Sequence, residues 1–155
     1  LQDKPYWVSF NAQSYIKALT VGNISVAHGD SNDFFQANLD AKAAKRPFSI
    51  VPVIPKQGAS LSLDSMVVLK NAPRPDLAYK FINFMLDGKN SAVLTNMTGS
   101  GNPNAHAMKY VKPELTKMQP VFPDAVTSAR LEMLKDQDAK TRRLMNKLWT
   151  EIKVK

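Results

Sequence analysis

The sequence predicts an α/β fold, and three observations lead there. Short apolar, β-branched segments alternate with stretches at helical spacing. Clusters of Gly, Pro and Asn punctuate each change of period. The composition, 44% apolar and 22% charged with 10 Pro and 6 Gly, is that of a folded globular chain and of neither a disordered nor a fibrous one. With 155 residues the length allows one domain of about 100–200 residues.

Ser14 to Leu19 reads as a short helix closed at Gly22, after which Ile24, Val26 and Ala27 form an apolar strand ending at Gly29. Ser31 is the expected N-cap of an amphipathic helix reaching Ala44, with Phe35 and Leu39 one turn apart. Asp33 falls in its first turn, where the helix dipole favours a carboxylate. The run from Phe48 to Pro55 is apolar and β-branched with Pro52 inside it, which makes it an edge strand or a strand end. After a turn at Lys56-Gln57-Gly58, the segment Leu61 to Ser65 alternates, and Met66-Val67-Val68-Leu69 reads as a strand covered on both faces.

Asn71 to Asp76 is a Pro-rich turn whose last residues suit a helix start, and Leu77, Phe81, Ile82, Phe84 and Met85 continue it to a stop at Asp87-Gly88. Ser91 to Thr98 is a further helix, and residues 99–104 are a loop. Short helical turns are expected around residues 105–111 and 114–118, then a Pro-flanked connector at 120–123 and a polar stretch. From Lys140 a helix carries Leu144, Leu148 and Ile152 on one stripe, with Met145 and Trp149 beside it.

Several function classes drop out. No Cys is present, which removes disulfides, thiol nucleophiles and Cys-based metal sites. Only His28 and His106 could serve a triad or a His site, and no Gly-x-Ser-x-Gly, His-Glu-x-x-His or phosphate-cradling Gly-rich motif occurs. The chain reads as non-enzymatic and needing no cofactor or metal. Its net charge of +8 is spread along the length: residues 1–104 hold 10 basic and 7 acidic side chains, residues 105–155 hold 11 and 6. Without a basic block or interleaved aromatics, this describes a solvated basic surface and not a nucleic-acid binder. No apolar run approaches the roughly 20 residues that span a bilayer. A chain opening at Leu1 without Met reads as a piece of a longer polypeptide.

Carboxylates at the ends of apolar segments are the chemically informative feature. Asp30 and Asp33 follow the 24–27 segment, and Asp64 precedes 66–69. In open α/β sheets ligands gather at the carboxyl ends of strands, so Asp30 and Asp33 are placed to meet a cationic ligand. Spacing alone favours a cap or turn residue for each, and does not show that Asp64 converges with them.

The order of segments resembles the polyamine-binding proteins of bacterial ABC importers, and the putrescine-binding branch in particular. The residues that carry the likeness are Gly22-Asn23-Ile24-Ser25-Val26-Ala27-His28-Gly29, Phe35-Gln36-Ala37, Ile54-Pro55-Lys56-Gln57-Gly58-Ala59, Leu63-Asp64-Ser65 and the run from Ala78 to Leu86. It continues through Gly101-Asn102-Pro103-Asn104-Ala105, Phe122-Pro123-Asp124 and the Trp149 helix. The resemblance implies the C-terminal portion of a bilobal type II periplasmic-binding-protein fold. Residues 1–55 would end the second lobe, 56–66 would form the hinge or crossing strand, and 67–155 would complete the first lobe. The missing N-terminal half of the same protein, an ABC permease and a small cationic solute such as putrescine or spermidine are the implied partners, and the periplasm the implied location.

Carried over residue by residue, the amine-binding carboxylates of that family fall on Asp33 and Asp64. The family's aromatic walls would stand at Asp30, Ser62 and Ser100, where this chain has one carboxylate and two hydroxyls. Three aromatic faces worth roughly 0.5–2 kcal/mol each to a cation are therefore replaced. Asp30 could meet a more charged or more hydrophilic cation, or the site could serve another polar solute. A relative that binds no amine and works as a sensor or protein-interaction module is the competing reading. A half-protein should also leave strand edges open, which predicts self-association.

Overall fold

A computed structural model describes residues 14–153, so the first 13 and last two positions of the expected lobe segments lie outside the described residues. Helix α1 (Ser14–Val21) packs on α2 (Ser31–Ala43). Leu19 is the buried residue of α1, and α2 buries two small residues, Ala37 and Ala41, which leaves room for the neighbouring helix to come close. The residue before α2 that takes the extended N-cap conformation is Asp30, not Ser31, and its side chain makes no cap hydrogen bond.

A long irregular stretch leads to β1 (Ala59–Leu61), followed by α3 (Pro75–Leu86) and α4 (Gly88–Thr98). Pro75 occupies the first turn of α3, where its missing N–H costs nothing. Helix α4 starts three residues earlier than Ser91 because Asp87 caps it, accepting from the N–H groups of Lys89 at 3.0 Å and Asn90 at 3.1 Å. A 3-10 turn at Ala105–Tyr110, α5 (Pro113–Thr116), α6 (Ala125–Ser128), β2 (Leu131–Met133) and α7 (Ala139–Lys153) complete the order.

The core lies between α4, the 105–110 turn and α5. Ala92, Ala107, Val111 and Leu115 are buried there, with Phe35, Met118 and Phe122 packed around them. Asparagines lace this block. Asn102 donates to the Ser91 carbonyl at 3.1 Å and to the Thr95 hydroxyl at 3.0 Å, and accepts from the Asn104 N–H at 2.9 Å. Asn96 donates to the Tyr110 carbonyl and accepts from the Lys112 N–H. The aromatic ring of Phe35 lies against Gly99, tying α2 to the C-terminal end of α4.

Among the described residues the sheet is a single parallel pair, β1 with β2, in the register Ala59 to Leu131, Ser60 to Glu132 and Leu61 to Met133. Strand β2 falls in the stretch expected to be polar and irregular. The strands expected at 24–27, 48–55 and 66–69 are not formed, and the alternating 61–65 segment contributes only its first residue to β1. The reason is physical: a strand exists by its ladder, and none of these segments has a partner among the described residues. Much of their apolar surface stays in solvent, with Val26 at 87%, Val67 at 78% and Leu69 at 75% exposure, while Ile24, Ile54 and Val68 are half-buried. No residue of α3 or α7 is buried either. The chain exposes 12469 Å², whereas a folded monomer of 17.2 kDa exposes roughly 7,800 Å². The α/β class stands, as a helix-rich structure with a small parallel sheet and much uncovered apolar surface.

Candidate ligand-binding site

Helix α2 presents its first turn beside α1, and the link between them is Tyr15. The Tyr15 hydroxyl donates to Oδ2 of Asp33 and accepts from the Asp30 backbone N–H at 3.3 Å. Asn32 Nδ2 donates to the other carboxylate oxygen, Oδ1 of Asp33, at 3.1 Å. The Tyr15 ring is tilted 50° to that of Phe34, centroids 5.9 Å apart, an ordinary aromatic pairing. It also lies directly on Gly29, where a Cβ would come within 2.3 Å of the Tyr15 oxygen. Only a residue without a side chain admits this approach.

Burial pushes the Tyr15 phenol up to about 12, and the hydrogen bond to Asp33 acts in the same direction. The hydroxyl therefore keeps its proton, and stays a donor to Asp33, across the whole physiological range. Among the described residues, Asp30, Asp33 and Asp64 form no ion pair with any Lys or Arg, although basic side chains outnumber acidic ones 21 to 13.

Of the five sequence-derived candidates, the structure brings Asp30 and Asp33 together around Tyr15. Ser100 stands next to Gly99 and so just beyond the Phe35 contact to α2; its N–H donates to the Thr98 hydroxyl, which in turn donates to Ser100 Oγ. Ser62 and Asp64 lie in the exposed irregular segment after β1 and make no hydrogen bond to a described residue. Shallow concavities along α7, and between α4 and the 105–110 turn, contain none of the five. His28 and His106 are exposed, and no group of His, Asp and Glu suited to a metal ion occurs among the described residues. No helix there is long and apolar enough to cross a membrane.

Tyr15 is the functional candidate that sequence reasoning missed. It is 18 residues from Asp33 and on another helix, so nothing local announces it; the one trace is Gly29, placed where a side chain would block the contact.

Residues 1–123 match the family described as bacterial extracellular solute-binding protein. Over all 155 residues the chain is 56% identical to a putrescine/cadaverine-binding protein of Pseudomonas aeruginosa, covering 44% of that protein. It is 33% identical over 153 residues, 99% of this chain and 42% of the relative, to the putrescine-binding periplasmic protein SpuD of Pseudomonas aeruginosa. It is also 33% identical over 144 residues, 93% of this chain and 39% of the relative, to the putrescine-binding periplasmic protein PotF of Escherichia coli. The chain thus spans less than half the length of these relatives.

Proposed function

The chain belongs to the bacterial extracellular solute-binding protein family, and from that premise we propose that it is part of a periplasmic binding protein delivering a linear diamine to an ABC permease. It acts as a binder and not as an enzyme. What carries the reading is full coverage of this chain, at 56% identity, by a relative named for binding putrescine and cadaverine. Asp33 and Asp64 hold the two ammonium groups, which must be met by carboxylates because an unpaired charge in a partly dry cleft costs several kcal/mol. The absence of a Lys or Arg partner on either, among the described residues, leaves both available.

Residues 1–55 end one lobe, 56–66 cross between lobes, and 67–155 finish the other. The remaining half of the protein covers the apolar segments at 24–27, 48–55 and 66–69 and the outer face of α3. Those segments supply their own support: they are strand-like in sequence and exposed for lack of neighbours. Without that half, copies of the present chain associate with one another through the same surface. Asp30, Ser62 and Ser100 form a polar wall, which suits a hydrated or more highly charged amine.

Calorimetry on the full-length protein with putrescine, cadaverine, spermidine and amino acids tests the proposal. Diamine binding is expected, with Asp64→Ala weakening it by at least about 30-fold. The same three positions favour a second reading, a sensor or interaction module that binds no amine. Absence of heat with every amine would select it.

A further inference from the structure

We infer that Tyr15 is a positioning residue for the amine-binding carboxylate of Asp33, fixing through its hydroxyl the direction in which that carboxylate faces the ligand. The inference rests on the reading of Asp33 as an amine ligand and adds a residue that the reading does not contain.

A carboxylate in the first turn of a helix has a competing attraction. The free N–H groups and the positive end of the helix dipole draw it back onto its own backbone. Two donors oppose this at Asp33. Tyr15 takes one lone pair on Oδ2, and Asn32 takes one on Oδ1. An ionised carboxylate offers about four such sites on its two oxygens, so one remains on each oxygen. Those two can accept from two of the three donors of a primary ammonium, leaving the third for another partner.

The hydroxyl that sets this orientation is itself fixed. It accepts from the Asp30 N–H, so its proton points toward Asp33, and Gly29 gives it room. The Tyr15 ring is in turn packed against that of Phe34, its centroid 5.9 Å away, in the same first turn of α2 as Asp33. The backbone N–H of residue 30 performs this task whatever its side chain is, so the chain can carry Asp30 where its family resemblance calls for an aromatic ring.

The test is a double-mutant cycle on the full-length protein, read by calorimetry with putrescine. Y15F keeps the ring and removes the hydroxyl; it is expected to weaken binding about 10-fold, the worth of one hydrogen bond to a charged group. D33N is expected to weaken it more. In the D33N background Y15F should cost less than about two-fold, because the hydroxyl acts only through the carboxylate. A merely structural role would cost the same factor in both backgrounds, and that result overturns the inference, as does a Y15F affinity equal to wild type. G29A, which leaves the phenol intact but displaces its oxygen, should reproduce the Y15F loss; wild-type affinity in G29A also counts against the inference. If D33N binds as wild type does, or wild type binds no amine, the reading of Asp33 fails and this inference falls with it. Normal wild-type binding with a weakened D33N and an unaffected Y15F removes the inference alone.

Discussion

The carbonyl oxygen of Arg130 occupies the space beside Gly58, 2.0 Å from where a Cβ on that residue would stand. Gly58 has φ of +113°, a conformation that side chains rarely adopt. The Arg130 guanidinium reaches back and donates to the Lys56 carbonyl at 2.8 Å. Two turns far apart in the chain are thereby locked at the mouth of the β1–β2 pair.

Gly58→Ala must both strain the backbone and push against a main-chain oxygen that cannot move without breaking the pair. A loss of about 2 kcal/mol or more is expected, seen as a lower Tm in thermal unfolding of the full-length protein. An unchanged Tm would show that the strand pair carries little of the stability.

Asn102 offers a second test. Its replacement by Ala removes the donor to the Ser91 carbonyl and to Thr95, which is buried. Leaving such groups unsatisfied costs about 1–3 kcal/mol. Amide exchange should quicken through residues 88–110 and not at α7, which shares no packed face with this block. Uniform protection in the variant would refute the lacing role.

Tyr15 makes an alkaline prediction. Its phenol is raised to about 12 by burial and by Asp33, while the unfolded chain titrates near 10. The folded state therefore binds the proton more tightly, and the associated stability is fully present below pH 10 and lost as pH rises through about 12. Tyrosinate absorbance should show a group titrating near pH 12 that is absent from Y15F. If the group lost in Y15F titrates near 10 instead, Tyr15 stands in solvent and its contact with Asp33 is not formed.

Residues 1–155 expressed alone should self-associate. The exposed area exceeds that of a folded monomer of this mass by more than half, and the surplus includes Val26, Val53, Val67 and Leu69. Sedimentation should give oligomers that dissolve when the rest of the protein is supplied. A monomer with protected amides throughout would contradict the prediction.

Helices were legible in the sequence because their signals are local. Pro75 opens α3, and Gly22 and Gly99 close α1 and α4 in left-handed conformations; Asp87, read as a stop for α3, also caps α4, two roles that the sequence did not separate. Strands were not, because a partner several dozen residues away decides whether Val67 is covered or Leu131 paired. The three residues of β2, Leu131-Glu132-Met133, alternate apolar and polar but are too few to mark a strand within a polar stretch. At the candidate site the same division holds: Asp30 and Asp33 stand at one helix end and are found by position, whereas Tyr15 reaches them only after α1 has packed on the buried alanines of α2.

The parallel pairing of β1 with β2 also has a temporal side. Lys56 and Arg130, bonded at its entrance, are 74 residues apart, and contacts of such separation close slowly. During synthesis at about 5–20 residues per second, β1 emerges from the ribosome several seconds before its neighbour exists. For that interval residues 59–61 have no ladder to join, so this part of the fold closes late, after most of the helices already have their neighbours.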